Sequence, residues 1–260
     1  MTKQECLVDL FLFMGQSNMA GRGIVNEVWP EKAPGVLEGI GYEYRAVSDP
    51  DTLHHLEEPF GCLENREGGI HDGTMKTGSM VSAFVNAYYE KTRIPVVGVS
   101  ASKGGSRILE WQPGTPYLND TRERLERARK FLSSHGYKIR HTFMLWCQGE
   151  TDGDHKMTAQ DYQRYFLCMW DVMKRDGIEC CFLVRIGHYN GTEDNSYEEI
   201  MQAQDGLSGR RKDVIMVSRC LAGMKERGLM KDGFHYYQKA YNEAGDEAGK
   251  NAAEHVIEFF

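Results

Sequence analysis

The segment LVDLFLFMGQSNMAG, residues 7–21, decides the fold of this chain. Its first part, residues 7–14, is an apolar run interrupted only by Asp9, and it has the length of a buried strand. A glycine-flanked turn that carries Ser17 follows at once. Strands that are apolar on both faces are typical of parallel sheets with helices on each side. The segment therefore predicts a central strand followed by an exposed turn.

The alternation of apolar runs with amphipathic patterns continues to the C-terminus. Further strands are predicted at residues 95–101, 141–147, 180–186 and 214–218. Helices are predicted at residues 80–93, 118–133 and 158–175, near 196–204, and from about 236 to the end. Strands that alternate with helices form right-handed βαβ units. The expected fold class is α/β, a three-layer α/β/α sandwich with a mainly parallel five-stranded sheet.

Residues 22–78 show no strong periodicity, and four of the seven prolines fall there. A stretch this long without clear elements is usually functional or disordered. Because it follows the Ser17 turn directly, we expect a loop-rich insertion around one side of the site. Residues 1–260 are expected to form one domain.

The composition, with 41% hydrophobic and 27% charged residues, is that of a soluble globular protein. A formal charge of −7 disfavours binding to nucleic acid or to an anionic membrane. No run approaches the roughly 18 apolar residues of a membrane span, and residues 1–10 do not resemble a secretory signal. Four of the seven cysteines are expected to be reduced core residues: Cys147, Cys168, Cys180 and Cys181. Together these features predict a cytoplasmic location.

Two of the predicted turns offer a nucleophile and a base. Ser17 lies on a tight turn that would expose its hydroxyl, although a helix N-cap serine has the same setting. A serine hydroxyl becomes an effective nucleophile only when a base removes its proton. Asp232 and His235 lie three residues apart on one turn. The carboxylate can bind the imidazole Nδ1 and leave Nε2 free to take that proton.

Two other turns offer groups that could stabilise negative charge. Gly104 and Gly105 follow the second strand, and paired glycines let backbone N–H groups approach a ligand closely. The same pair also occurs in simple tight turns that bind nothing. After the third strand, Gln148 could donate its amide N–H to an oxyanion, and Glu150 could orient a histidine. No spacing of histidines and cysteines indicates a metal site.

The motifs GQSNMAG, GGS followed by a tryptophan, WCQGETD and DGFH occur in this order over nearly the whole chain. They resemble the SGNH-type carbohydrate acetylesterases, and within these carbohydrate esterase family six and the sialate O-acetylesterase group. The resemblance implies a flavodoxin-like sandwich, no cofactor and activity on O-acetylated sugars such as xylan or sialic acid. It implies Ser17 as nucleophile, His235 as base, and an oxyanion hole made by the Ser17 N–H, the Gly104–Gly105 turn and Gln148.

The resemblance leaves several assignments open. Asp232 is the usual third member of the triad, but Glu150 stands where it could contact the same histidine. Candidate substrate-binding residues are Gln16, Asn18, Arg22, Arg107 and Trp111.

The favoured function is an acetylxylan-esterase-like carbohydrate O-acetylesterase that needs no metal, with an acetylated sugar as its partner. A sialate O-acetylesterase is the alternative, which arginines in the pocket would favour because Arg binds carboxylates bidentately. A non-catalytic carbohydrate-binding protein is less favoured, since a binder does not need a nucleophile and a base. The sequence does not predict an oligomeric state.

Overall fold

The computed structural model of the chain describes residues 6–73, 75–191 and 196–260. Residues 1–5, on which the expectation of no leader partly rests, lie outside the described residues. None of the helices within these ranges combines the length and the apolar character needed to cross a membrane.

A seven-stranded sheet forms the centre of the protein. Its strands are β1 (Cys6–Gly15), β2 (Gly41–Tyr44), β3 (Leu53–His55), β4 (Val96–Ser102), β5 (Tyr137–Cys147), β6 (Cys180–Val184) and β7 (Val214–Ser218). They lie in the order β3-β2-β4-β1-β5-β6-β7, and among the described strands every pairing is parallel except that of β2 with β3. The five predicted strands are neighbours in this sheet, in the order of a flavodoxin-like fold.

Helices cover both faces of the sheet. They are α1 (Ser17–Ala20), α2 (Val81–Thr92), α3 (Pro116–Ser134), α4 (Glu150–Asp154), α5 (Ala159–Arg175), α6 (Glu198–Arg210) and α7 (Gln238–Phe259), with 3₁₀ helices at Ile108–Trp111 and Cys220–Gly223. Helices α2 and α7 share one apolar core with one face of the sheet, while α3, α5 and α6 share the other core. The predicted three-layer α/β/α sandwich is confirmed.

The expectation of five strands was wrong because the segment 22–78 contributes two more. Strands β2 and β3 have four and three residues, too few for an alternating pattern to be recognised in the sequence. They extend the sheet beyond β4 and end it with an antiparallel edge. The rest of the segment is largely irregular, as expected.

The prediction for the cysteines holds for three of the four. Cys147, Cys180 and Cys181 are buried in strands, whereas Cys168 is exposed on α5. The apolar stripe of that helix includes the buried Phe166, Met169 and Trp170. Cys168 lies between these residues in sequence but projects from another side of the helix, where it contacts solvent.

The register of the three central strands fixes the position of the site. Gly15 at the end of β1 pairs with Ser102 on one side and with Cys147 on the other. Strands β4, β1 and β5 therefore end at the same level. The turns that follow them carry Gly104, Ser17 and Glu150, so these residues converge at the carboxyl edge of the sheet, where ligands bind in such folds.

Gly15 is required at this position for two reasons. Its φ of 144° lies in a region that residues with a side chain rarely adopt. A β-carbon added there would also stand 2.0 Å from the carbonyl oxygen of Cys147. The absence of a side chain thus lets the Ser17 turn begin directly against β5.

Substitution of Gly15 by alanine tests this close contact. We expect Gly15→Ala to lower the free energy of unfolding by about 3 kcal/mol, because the backbone of β1 or β5 must shift. Gly209→Ala is the matched control, since nothing lies within 4 Å of its added β-carbon on helix α6, and it should gain about 0.5–1 kcal/mol. Urea unfolding followed by circular dichroism measures both. Unchanged stability of Gly15→Ala would contradict the contact.

Candidate active site

Ser17, His235 and Asp232 form a continuous chain of hydrogen bonds. The Nε2 atom of His235 lies 3.0 Å from Ser17 Oγ, and its Nδ1 atom lies 2.9 Å from Asp232 Oδ2. When Nδ1 carries the proton donated to the carboxylate, Nε2 is left to accept the serine hydroxyl. The Ser17 side chain belongs to the first residue of α1, 218 positions away from His235 in sequence. This arrangement can deprotonate a serine during nucleophilic attack.

The loop that carries His235 is shaped by its own backbone. Asp232 Oδ1 accepts the N–H groups of Phe234, at 2.8 Å, and of His235, at 2.7 Å. The N–H of Lys231 donates to the His235 carbonyl at 2.9 Å, which closes the turn. Partial burial alone would raise the pKa of Asp232, but the hydrogen bonds from Phe234 and His235 outweigh it and hold the pKa below its ordinary value. Asp232 is therefore an anion that orients the imidazole.

A cavity of about 310 Å³ opens above these residues. It is lined by residues from all four motif turns and from the segment 22–78: Gln16, Ser17, Arg22, Met75, Gly104, Gly105, Glu150, Thr151, Asp154, Phe234 and His235. The segment 22–78 therefore supplies one side of the cavity, through Arg22 and Met75 at its two ends.

Glu150 does not contact His235; it contacts the residue that follows the serine. Its Oε1 accepts the Asn18 side-chain N–H at 2.5 Å. The same amide group also donates to the Phe234 carbonyl at 3.1 Å, and its oxygen accepts the Tyr241 hydroxyl at 2.6 Å. Fully buried Asn18 thus joins the serine turn to the start of α4, to the histidine loop and to α7. It lies below the cavity, not in its lining.

The two glutamines predicted at the site join the Ser17 turn to the turn after β5. Gln16 Oε1 accepts the Gly149 N–H at 3.0 Å and the Gln148 amide at 3.2 Å. Gln148 Nε2 also donates to the Ser106 carbonyl at 2.9 Å and to Asp152 Oδ2 at 2.6 Å. Gln148 is fully buried, and its amide hydrogens are directed to protein acceptors and away from the cavity. The geometry does not place it as an oxyanion donor.

Arg22 lines the cavity together with the glycine turn after β4. Its guanidinium donates to Asp72 Oδ2 at 2.6 Å and to the Gly21 carbonyl at 3.1 Å. The other oxygen of Asp72 accepts the Gly104 N–H at 2.9 Å. Asp72 therefore neutralises the one arginine of the cavity lining and holds the glycine turn in place.

Besides Asn18, two more of the predicted substrate-binding residues lie outside the cavity lining. Trp111 is fully buried, donates its Nε1–H to Ser106 Oγ at 3.0 Å and packs edge-on against Trp146. The prediction that Trp111 contacts substrate is therefore wrong, because its ring belongs to the core. Arg107 is outside the cavity lining, with its Nε 3.5 Å from Asp152 Oδ1. Within the described residues, no group of three or more His, Cys, Asp or Glu side chains is arranged to hold a metal ion.

Comparison with protein families identifies the chain. The family model described as carbohydrate esterase, sialic acid-specific acetylesterase, matches residues 7–254. The chain belongs to this family. The resemblance drawn from the four motifs is thereby confirmed, and this carbohydrate esterase is a carboxylic ester hydrolase.

Solved structures share the fold of this carbohydrate esterase. A protein from Arabidopsis thaliana is 22% identical with a TM-score of 0.73, and the match covers 99% of this chain and 100% of that one. NanS is 14% identical with a TM-score of 0.66 and 99% coverage of both chains. A carbohydrate acetylesterase from Xanthomonas citri is 13% identical with a TM-score of 0.61, covering 96% of this chain and 57% of that one. No curated protein matches the sequence.

Sequence reasoning missed several residues of the esterase site: Met75, Thr151 and Asp154 in the cavity lining, and also Asp72 and Phe234. Asp72 stands in the segment without periodicity, where the pair Asp72–Gly73 signals only a turn. Phe234 lies inside the DGFH motif, but a phenylalanine beside a histidine carries no signal of its own. Both positions became evident only when the fold brought the turns together.

Glu150 is an unusual group for the floor of a cavity. Burial raises its pKa to about 7, despite the hydrogen bond from Asn18, which lowers it. Its Oε2 atom is buried and has no hydrogen-bond partner. The folded protein therefore holds a proton on Glu150 at pH values where the unfolded chain has released it.

This difference makes stability depend on pH in a predictable direction. Between the ordinary pKa of 4.5 and the raised value of about 7, the folded state binds more protons, so stability falls as pH rises. Glu150→Gln removes the titration. The unfolding free energy of the variant minus that of the unsubstituted chain should be about 1–3 kcal/mol more positive at about pH 8 than at about pH 5.

Urea unfolding at both pH values measures this change. Glu38→Gln, at an exposed position, is the control for loss of a carboxylate. A difference for Glu150→Gln that does not change with pH would show that Glu150 has an ordinary pKa.

Proposed function

We propose that this carbohydrate esterase removes acetyl groups from sugar hydroxyls through an acetyl-enzyme on Ser17. His235 takes the serine proton as Oγ attacks the acetyl carbonyl, and it returns that proton to the departing sugar oxygen. Water then attacks the acetyl-serine, with His235 again as base, and releases acetate. The observation that carries the proposal is the hydrogen-bond chain from Ser17 through His235 to Asp232 at the wall of one cavity.

The oxyanion of the tetrahedral intermediate needs fixed donors. We assign this role to the Ser17 N–H, because the first N–H groups of a helix have no intrahelical acceptor. In the glycine turn, Gly104 donates its N–H to Asp72, which leaves the Gly105 N–H as the proposed second donor. Gln148 is left out because its amide hydrogens already have acceptors.

The charge of the cavity supports a neutral acetylated sugar, such as an acetylated xylo-oligosaccharide. Asp72 already occupies the guanidinium of Arg22, and the lining otherwise carries the carboxyl groups of Glu150 and Asp154 and the imidazole that serves as the base. An O-acetylated sialic acid is the second candidate. It is favoured by the position of Arg22 at the cavity and by the description of the family, and it would require Arg22 to bind the substrate carboxylate in addition to Asp72.

Acetate release from a panel of substrates tests this function. The purified protein should release acetate from acetylated xylo-oligosaccharides, and Ser17→Ala should lower kcat by about 10³-fold or more while leaving the protein folded. Faster turnover of O-acetylated sialic acid would move the assignment to the second candidate. Full activity of Ser17→Ala would contradict the assignment of Ser17 as nucleophile. Binding of the sugars without acetate release by the unsubstituted protein would instead favour a protein that only binds carbohydrate at this site.

The two carboxylates should differ in their effect on turnover. Asp232→Asn should lower kcat by roughly 10²- to 10⁴-fold, because it removes the group that fixes the tautomer of His235 and stabilises its charged form. Glu150→Gln should lower kcat less, by about 10- to 100-fold, since it acts through Asn18. Steady-state rates of both variants on one acetylated sugar measure which of the two substitutions lowers kcat more. A Glu150→Gln variant without activity beside a near-normal Asp232→Asn would make Glu150 the third member of the triad.

We further propose that residues 1–260 act as one esterase domain in the cytoplasm. The free thiols of the buried Cys147, Cys180 and Cys181 support a reducing location. Fractionation of the native cells, followed by detection of the protein in the cytoplasmic or the exported fraction, tests it.

A further inference from the structure

Two large apolar side chains stay exposed at the catalytic cavity. Phe234 is 36% exposed and Met75 is 60% exposed, although most apolar side chains of the protein are buried in its two cores. Both line the cavity that also contains Ser17 and His235. Exposed apolar surface beside polar catalytic groups is the usual composition of a small-molecule site.

Phe234 is held through its backbone by hydrogen bonds and through its ring by an aromatic neighbour. Its N–H donates to Asp232 Oδ1 at 2.8 Å, and its carbonyl accepts the Asn18 side chain at 3.1 Å. The ring of Tyr189 packs against it, with centroids 5.5 Å apart. Because the ring is already fixed, little conformational entropy is lost when a ligand covers its exposed face.

Tyr189 is itself supported by a second tyrosine. Its ring meets that of Tyr197 with centroids 5.8 Å apart, and Tyr197 donates its hydroxyl to Asp154 at 2.8 Å. Asn190, the next residue, donates its N–H to the Gly233 carbonyl at 3.0 Å. The wall behind Phe234 is therefore a packed aromatic cluster.

We propose that Phe234, with Met75 as a second apolar contact, is the platform on which the sugar ring of the substrate stacks. The face of an aromatic ring is electron-rich and attracts the slightly positive C–H groups of a pyranose. Phe234 immediately precedes His235, whose Nε2 lies 3.0 Å from Ser17 Oγ. A sugar ring stacked on Phe234 therefore places its ester beside Ser17. This inference rests on the proposed function and adds how the sugar, as distinct from the acetyl group, is recognised.

Such a platform selects esters of a ring over esters of a small alcohol. The acetyl carbonyl needs only Ser17 and the oxyanion donors, whereas the alcohol part of the substrate gains binding energy from Phe234. The contact carries no charge, so it is open to neutral pyranosides. Phe234 therefore controls how strongly the enzyme prefers the ester of a sugar ring to the ester of a small alcohol.

The test compares methyl per-O-acetyl-β-xylopyranoside with ethyl acetate, which has no ring. The ratio of kcat/KM for the xyloside to that for ethyl acetate should fall by about 3- to 10-fold in Phe234→Ala. Phe234→Tyr keeps an aromatic face and should keep most of the ratio. Leu63→Ala, which removes an apolar side chain that is 55% exposed and lies outside the cavity, should leave both rates unchanged.

A second measurement separates this proposal from the proposed function. On the Ser17→Ala background, NMR titration with the same xyloside should give a Kd that Phe234→Ala raises by a similar factor, whether or not the unsubstituted protein turns the ester over. Failure of the unsubstituted protein to hydrolyse either ester would contradict the proposed function alone. An equal fall of kcat/KM for both esters in Phe234→Ala, or an unchanged Kd for the xyloside, would overturn the proposal that Phe234 is the platform for the sugar ring.

Discussion

The close approach of β1 to β5 at Gly15 is the constraint on which the rest of the site depends. The missing side chain lets the turn after β1 lie against the last carbonyl of β5, and the shared level of β4 sets the glycine turn beside it. Three turns from distant parts of the sequence are thereby brought to one edge of the sheet. A side chain at residue 15 would separate the serine turn from its neighbours, however well each turn is formed by itself.

Buried polar side chains then hold the turns together. Gln16 ties the serine turn to the backbone of the turn after β5, and Asn18 ties it to Glu150, Phe234 and Tyr241. In a buried setting such bonds are costly to leave unmade, so the network favours one arrangement of the loops. Asp72 does the same for Arg22 and the glycine turn. The esterase thus places its reactive groups before substrate arrives, as electrostatic stabilisation of an oxyanion requires.

The fold was largely predictable because five of its strands, β1 and β4 to β7, are apolar runs that alternate with amphipathic helices. Strands β2 and β3 were not, since three or four residues carry no usable period. Within the site, Asp232 and His235 stood out because they lie three residues apart, and Ser17 stood out because of its glycine-flanked turn. The bond of Glu150 to Asn18 and those of Gln148 to Gln16 and Ser106 span more than 40 residues in sequence, which no local pattern encodes. Trp111 was misplaced for the same reason, because its motif does not reveal which side of the loop faces the core.

If the proposed mechanism holds, the hydroxyl of Ser17 carries the acetyl group during turnover. Rapid acid quench of the protein during hydrolysis of 4-nitrophenyl acetate, followed by mass spectrometry of its peptides, detects such an acetyl group directly. We expect the peptide containing Ser17 to gain the mass of one acetyl group and His235→Ala to accumulate little of it. Acetyl found only on another residue, or none on Ser17 while the ester is being consumed, would contradict the proposed mechanism.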